Sequence, residues 1–159
     1  MKYVSILLIF SFFLAACNLG PSPKEHLVEI YRIALDSIME QDEALGEGIK
    51  FIAIDMSNFD DLKKEEKEEI LAYFKKKYQL DVMDATLDEL KEKGFYNPDA
   101  SALEGVLLRI EEVDFTFYNN IFFKGSMDRS GKGGVGVEIT VHYKDGKWQI
   151  KNSKQTWIS

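Results

Sequence analysis

Residues 134–159, GVGVEITVHYKDGKWQIKNSKQTWIS, decide the fold. In the first half of this stretch the odd positions from Val135 to Tyr143 are apolar and the even positions are small or polar, which is typical of a half-buried β-strand. Asp145-Gly146 follows, and Asp-Gly between two such runs indicates a type I′ turn, whose two central residues need positive φ. The turn predicts a hairpin with Tyr143 opposite Trp148.

The second strand of this hairpin breaks the pattern. Continuing the same pairing places Asn152 opposite Ile139, and Lys154 two positions further along, on the face that should be apolar. A β-bulge after Ile150 would reset the alternation, and Trp157, which is out of phase with the first tryptophan of the strand, also indicates an irregularity. If the alternation continues unbroken instead, these polar groups lie on the inner face, where either water or a ligand must reach them. On that second interpretation Asn152 is the one candidate ligand-binding residue.

Two more β-rich runs precede the hairpin, GVLLRIEEVDF at 105–115 and IFFKGSM at 121–127, joined by a turn at Tyr118-Asn119-Asn120. Together with the two strands of the hairpin, these runs predict four strands in series. The run IKFIAID at 49–55 is either a further strand or a buried connector.

The residues ahead of the strands are mostly helical in pattern. Ser22-Pro23-Lys24-Glu25 resembles a capping box before an apolar stripe that runs to Leu45. A second helix is expected after Asp60 or Asp61, and a third opens at Thr86 and stops at Gly94. We therefore predict an α+β fold with N-terminal helices packed on a C-terminal four-stranded antiparallel β-meander.

The N-terminus has the layout of a secretion signal, with Lys2 followed by an apolar run too short to span a bilayer. Leu14-Ala15-Ala16-Cys17 resembles the lipobox of bacterial lipoproteins, which implies cleavage before Cys17 and lipidation of its thiol. We expect a signal peptide at 1–16, a lipidated Cys17 and short tether at 17–22, and a single domain at 23–159. The expected location is the extracytoplasmic face of the cell membrane, with the lipid anchor as the membrane contact.

The composition excludes some classes of function. The chain has 159 residues, a formal charge of -7 and one Cys. An acidic chain without a basic cluster does not indicate nucleic-acid binding, and a single thiol excludes a disulfide within the chain. We expect a monomer, and a membrane or cell-envelope protein is the partner class left open.

No motif in the sequence carries a reaction, so we predict no catalytic residue, no metal site and no cofactor. His26 has no second ligand at metal spacing, and His142 has no carboxylate within reach to orient it as a base. Gly131 to Gly136 spell GxGxxG, but a strand pattern follows them where a dinucleotide site needs a helix.

Helices followed by an antiparallel meander with a Trp-bearing last strand resemble the nuclear transport factor 2-like and cystatin-like folds. The run from DRSGKGG to the end also resembles the C-terminal third of uncharacterised lipoproteins from Gram-positive bacteria. These resemblances imply an architecture and no reaction.

Two functional classes therefore remain. The first is a surface binding or accessory module without catalytic activity, with an inhibitor or immunity protein as its variant. The second is a small hydrolase or isomerase with a pocket between helix 1 and the sheet. The aromatic residues that would line that pocket are Phe51, Phe115, Phe117, Phe123 and Tyr143.

Overall fold

The computed structural model of the chain describes residues 20–42, 47–117, 119–130 and 133–159. The predicted signal peptide, Cys17 and the start of the tether lie outside the described residues. So do the predicted end of the first helix at Leu45 and the Gly131-Lys132 part of the glycine-rich loop.

Three α-helices and seven strands make up this part of the chain, after a 3-10 turn at Pro23–Glu25. The helices are α1 (Leu27–Met39), α2 (Lys64–Tyr78) and α3 (Leu87–Glu92). The strands are β1 (Phe51–Asp55), β2 (Asp81–Asp84), β3 (Tyr96–Asn97), β4 (Ala102–Phe117), β5 (Asn120–Ser130), β6 (Gly133–Lys144) and β7 (Lys147–Ile158).

All seven strands join one mixed sheet in the order β2-β1-β4-β5-β6-β7, and β3 pairs with β4. The predicted α+β class is confirmed, but the sheet is larger than predicted. Strands β4 to β7 pair antiparallel in sequence, and β1 lies parallel to both β2 and β4. The run at 49–55 is thus a strand of the main sheet. Helices α2 and α3 lie between strands in the chain, so the helices do not all precede the sheet.

The sheet has two covered regions. Helix α1 packs on the face that we call the inner face, where its stripe of Ile30, Tyr31, Ala34, Leu35 and Ile38 is fully buried. A smaller cluster lies on the opposite, outer face, where α3 covers the β1–β4 region. Its buried members are Phe51, Ala53, Ala85, Leu90, Leu103 and Leu107.

Coverage on both faces explains why β1 is a continuous apolar run, as expected for a parallel strand buried on both sides. Both clusters lie within residues 20–159, so a chain that starts at Gly20 keeps every contact described here. Within the described ranges, none of the helices is both long and apolar enough to cross a membrane.

The β6–β7 turn is as predicted. Asp145 and Gly146 have φ of 53° and 80°, and Tyr143 faces Trp148. A bulge then leaves Lys151 without a partner residue, so Thr140 faces Asn152 and Ile139 faces Ser153. The placement of Asn152 opposite Ile139 is therefore wrong, and the bulge after Ile150 is the interpretation that holds.

A second bulge lies at Thr156 in β7, between the pairs Val137–Gln155 and Gly136–Trp157. Each bulge shifts the alternation by one residue. The second one turns Trp157 to the outer face, opposite Gly136. Among the strands of the described ranges, β6 is the one that pairs with β7, so β7 is an edge of this sheet.

The helix starts differ from the sequence expectation. Ser22 makes no side-chain cap, and the residues after it form the 3-10 turn before α1 begins at Leu27. Helix α2 is capped at Lys63, whose backbone N–H donates to Glu66 Oε2 at 2.7 Å, and not at Asp60 or Asp61. The predicted start of the third helix at Thr86 is confirmed, and there Thr86 and Glu89 form a capping box.

Candidate functional site

The candidate site is a pocket of about 400 Å³ on the outer face of the sheet, which we call the outer-face pocket. It lies between α3, which covers part of the outer face, and the side chain of Trp157. The strand positions that line it are in β3, near the start of β4 and near the ends of β5 and β7. Its lining residues are Leu87, Lys91, Tyr96, Leu103, Leu107, Arg109, Asp128, Arg129, Ser130, Trp157 and Ser159.

A polar cluster from β4 and β5 borders the pocket. Arg109 faces Ser126 across the two strands, and its Nη2 donates to Asp128 Oδ2 in a short ion pair. Arg109 Nε lies 3.4 Å from the Ser126 hydroxyl oxygen, and that hydroxyl lies 3.2 Å from Asp128 Oδ2 and 3.1 Å from Glu111 Oε1. Ser126 is fully buried. These four side chains, including Glu111, therefore hold each other in fixed positions, because a buried polar group without partners costs about 1 to 3 kcal/mol.

Two glycines in β6 make room for the pocket side chains. A Cβ atom at Gly136 would overlap the Trp157 indole, so the ring lies directly on the backbone of β6. A Cβ atom at Gly134 would lie 2.5 Å from Asp128 Oδ1. The glycine-rich segment thus has a packing role: it lets an indole and a carboxylate approach the sheet. Trp157 remains 42% exposed, so one part of the ring faces solvent.

The pocket is positively charged in a negatively charged protein. Of the described residues that line it, Lys91, Arg109 and Arg129 are cationic and Asp128 is acidic, and in the protein of residues 20–159 the terminal carboxylate of Ser159 is a second negative group in the lining. The Lys91 ammonium lies 5.8 Å from the centre of the Tyr96 ring and 3.5 Å from Asp88 Oδ1, which is highly exposed. An anion in this pocket would meet a favourable local potential although the whole chain carries a charge of -7.

The predicted ligand residue Asn152 is not part of this pocket. It is exposed and pairs with Thr140, whereas the inward polar position belongs to Ser153. The Ser153 hydroxyl accepts a hydrogen bond from Ser37 Oγ at 2.9 Å and another from Gln41 Nε2 at 2.9 Å. Ser153 therefore ties the edge strand to α1. A ligand role for Asn152 stays a prediction, without the inward orientation from which it was argued.

His142 lies at the other end of β6, opposite Gln149. Burial lowers its pKa, and the charges of Lys151 and Lys144 lower it further. A neutral imidazole far along the strand from the outer-face pocket has no part in this site.

The space between α1 and the sheet, where an enzyme pocket was predicted, is filled by buried side chains. Phe123 is fully buried there, whereas Phe51 points to the outer face and packs on Phe95 with ring centres 5.0 Å apart. Phe115 lines a broader depression of about 580 Å³ at the N-terminal end of α1, together with Leu27. The other residues that line this depression are Ser22, Pro23, Lys24, Asp60, Asp61, Lys63 and Glu66.

A second polar cluster joins α1 to α2. Asp36 accepts hydrogen bonds from Tyr73 Oη at 2.5 Å and Tyr78 Oη at 3.2 Å, and Lys77 Nζ lies 2.8 Å from the same carboxylate. Burial and the Asp36 charge raise the pKa of Tyr78. Burial lowers the pKa of Lys77, but the hydrogen bond to Asp36 and the charge of Asp36 outweigh it, so the pKa of Lys77 is raised. These groups satisfy one another between two helices, so we assign them a structural role.

Across the described ranges, no group of three or more His, Cys, Asp or Glu side chains is placed to hold a metal ion. No protein-family model, no curated protein and no solved structure matches the chain.

The sequence contained weak signals for the outer-face pocket. Gly134 and Gly136 alternate with valines on one face of a strand, a pattern that marks close approach of another group. Arg109 and Asp128 are charged residues within β-rich runs, which indicates a partner across the strands. Neither signal identifies the pocket by itself, because its residues come from four strands and a helix.

Proposed function

We propose that this protein is a lipid-anchored binding module on the extracytoplasmic face of the cell membrane, with the outer-face pocket as its binding site and no catalytic activity. In this proposal Cys17 carries the lipid, and the domain presents the pocket away from the membrane. The observation that supports it is the position of Gly20 relative to the pocket.

Gly20 lies at the end of the sheet opposite the pocket. A Cβ atom on Gly20 would lie 2.6 Å from Tyr143 Cδ1 and 3.2 Å from Asn119 Oδ1, so the chain enters the domain beside the β4–β5 and β6–β7 turns. Cys17 precedes Gly20 by three residues, which span at most about 11 Å. A lipid on Cys17 would therefore hold these two turns near the bilayer.

The strands then set the distance of the pocket from the membrane. Gly136, beneath Trp157, is seven residues from Tyr143 along β6, or about 23 Å at the rise of a β-strand. The depression around Phe115 lies toward the anchored end and is lined by several carboxylates, so it is the less suitable site for a soluble ligand. The outer-face pocket would open to the extracytoplasmic space.

The geometry of the pocket supports binding over catalysis. Ser126 and Asp128 hold the Arg109 guanidinium, which fixes Arg109 and Asp128, the two of them that line the pocket, as hydrogen-bonding groups for a ligand. A hydrolase or an isomerase needs a base next to the group it activates. Ser126 is fully buried behind the ion pair, so it is not placed to attack a substrate.

The proposal can be tested with lipidated protein in vesicles. Because Cys17 is the only Cys and would carry the lipid, one added Cys gives a single labelling site. We would label Lys147→Cys at the β6–β7 turn and Lys93→Cys beyond α3, both at exposed positions. Spin-labelled lipid should quench a fluorophore at position 147 strongly and one at position 93 weakly.

The control for anchoring is Cys17→Ser, which should abolish incorporation of labelled fatty acid. A Cys17→Ser protein that still incorporates the fatty acid would contradict the anchor. Equal quenching at positions 147 and 93, or the reverse order, would contradict the orientation.

A further inference from the structure

We infer that the outer-face pocket binds a small organic anion with a flat apolar body. This inference rests on the proposed function, since it names the class of ligand for the same pocket. It is carried by three features of the pocket: its charge, its apolar wall and the fixed position of Arg109.

The charge of the pocket favours an anion. Lys91, on α3, and Arg109, on β4, both line it on the outer face, together with Arg129. Three cations thus stand against the carboxylates of Asp128 and, in residues 20–159, the chain end at Ser159, while Asp88, the ion-pair partner of Lys91, is a solvent-exposed group outside the lining. Attraction between exposed charges is weak, but a concave site with an apolar wall strengthens it.

The wall favours a flat apolar body. Leu87, Leu103 and Leu107 supply apolar surface, and Trp157 offers an indole that lies flat on Gly136. Aromatic rings stack in offset or edge-to-face geometry on such a surface. A volume of about 400 Å³ is within the range of pockets for small molecules.

Arg109 is held in place before any ligand arrives. Its Nη2 is fixed by Asp128 and its Nε by Ser126, so the guanidinium does not have to be ordered on binding. A guanidinium in a fixed plane recognises the oxygen atoms of a carboxylate, sulfonate or phosphate group better than a mobile ammonium does. The ligand would place its anionic group toward Arg109 and Lys91 and its flat body against Trp157.

Two fluorescent probes test this inference on residues 20–159. Anilinonaphthalene sulfonate combines a flat apolar body with an anionic group, and phenylnaphthylamine is the same molecule without the sulfonate. We expect the sulfonate to bind one saturable site in the folded protein, at least about tenfold more tightly than the neutral probe.

Matched variants locate the site. Lys91→Gln should weaken sulfonate binding about fivefold, as expected for the loss of one partly screened charge, whereas Lys93→Gln, which is exposed outside the lining, should leave it unchanged. Trp157→Ala should weaken both probes about tenfold, and Ile158→Ala, at the exposed neighbouring position, should not. Circular dichroism melts of each variant show that the fold is intact.

The outcomes separate the two proposals. Equal affinity for both probes, with binding lost in Trp157→Ala, would overturn the anion class and leave the pocket as a binding site. Binding that neither Lys91→Gln nor Trp157→Ala changes, or no binding of either probe, would overturn the assignment of a ligand to this pocket. The membrane-orientation measurement does not depend on any of these results.

Discussion

Two glycine-to-alanine changes probe the sheet at sites where a methyl group meets different neighbours. Gly105 in β4 lies beside β1, and a Cβ there would overlap the Phe51 carbonyl oxygen and lie 2.6 Å from Phe51 Cγ. The obstacle is the backbone of a buried central strand, which cannot move without opening the β1–β4 pairing. At Gly136 the obstacle is the Trp157 indole, which is 42% exposed and free to turn toward solvent.

The expected magnitudes follow from these neighbours. Overpacking typically costs about 1 to 3 kcal/mol, and we expect Gly105→Ala to reach about 3 kcal/mol because the strand cannot relax. For Gly136→Ala we expect at most about 1 kcal/mol, because the indole moves and the loss of a glycine in a strand returns about 0.5 to 1 kcal/mol. With a urea m-value of about 2 kcal/mol/M, the urea midpoint should fall by about 1.5 M for Gly105→Ala and by less than about 0.5 M for Gly136→Ala.

The assay is urea denaturation of residues 20–159, followed by circular dichroism. Trp148 is only 3% exposed, so a shift in the fluorescence emission of the folded protein reports mainly a change in the surroundings of Trp157. Gly136→Ala should shift the emission to the red and weaken binding of anilinonaphthalene sulfonate while the fold persists. Equal destabilisation by the two changes, or a silent Gly105→Ala, would refute the reasoning.

Two further predictions concern contacts away from the pocket. Ser153→Ala should lower the free energy of unfolding by about 1 kcal/mol, since it removes the hydrogen bonds to Ser37 in α1 and to Gln41 just beyond the helix. Asn152→Ala on the exposed face should be nearly silent, and equal urea midpoints would contradict the bulge register. Stability should fall above about pH 10. Burial raises the pKa of Tyr31 to about 12, and the pKa values of Tyr78 and Lys77 are also raised in the folded protein. These groups keep their protons longer in the folded state than in the unfolded chain, and the stability that this gives is lost as the pH rises. Phenolate absorbance should show these tyrosines ionising after the others, and a single transition for all tyrosines near pH 10 would contradict it.

The sequence predicted the parts of this fold that depend on neighbouring residues. The Asp145-Gly146 turn and the pairing near it are confirmed because positive φ is a local requirement of the turn. The broken alternation in β7 indicated a bulge after Ile150 as one of two interpretations, and the choice between them, like the position of the second bulge at Thr156, depends on the pairing with β6. The place of β1 was left open because a short apolar run fits a strand buried on both faces and a buried connector equally well.

The candidate site depended even more on tertiary structure. Arg109 and Asp128 are 19 positions apart and meet only because β4 and β5 pair in one register. Trp157 reaches the pocket because a bulge reverses its direction. The sequence pointed instead to Asn152, since an unbroken alternation would have turned that residue inward.

The edge strand β7 has a consequence for a protein that is concentrated on a surface. On the proposed lipid anchor, copies tethered by one end would meet in the same orientation, and an exposed 12-residue edge strand could pair with that of a neighbour. The two bulges interrupt the row of free backbone groups, and Lys147 and Lys154 lie exposed on the same strand. Contact between the β7 edges of two copies would bring these like charges together, so both features disfavour pairing of the sheets of neighbouring copies.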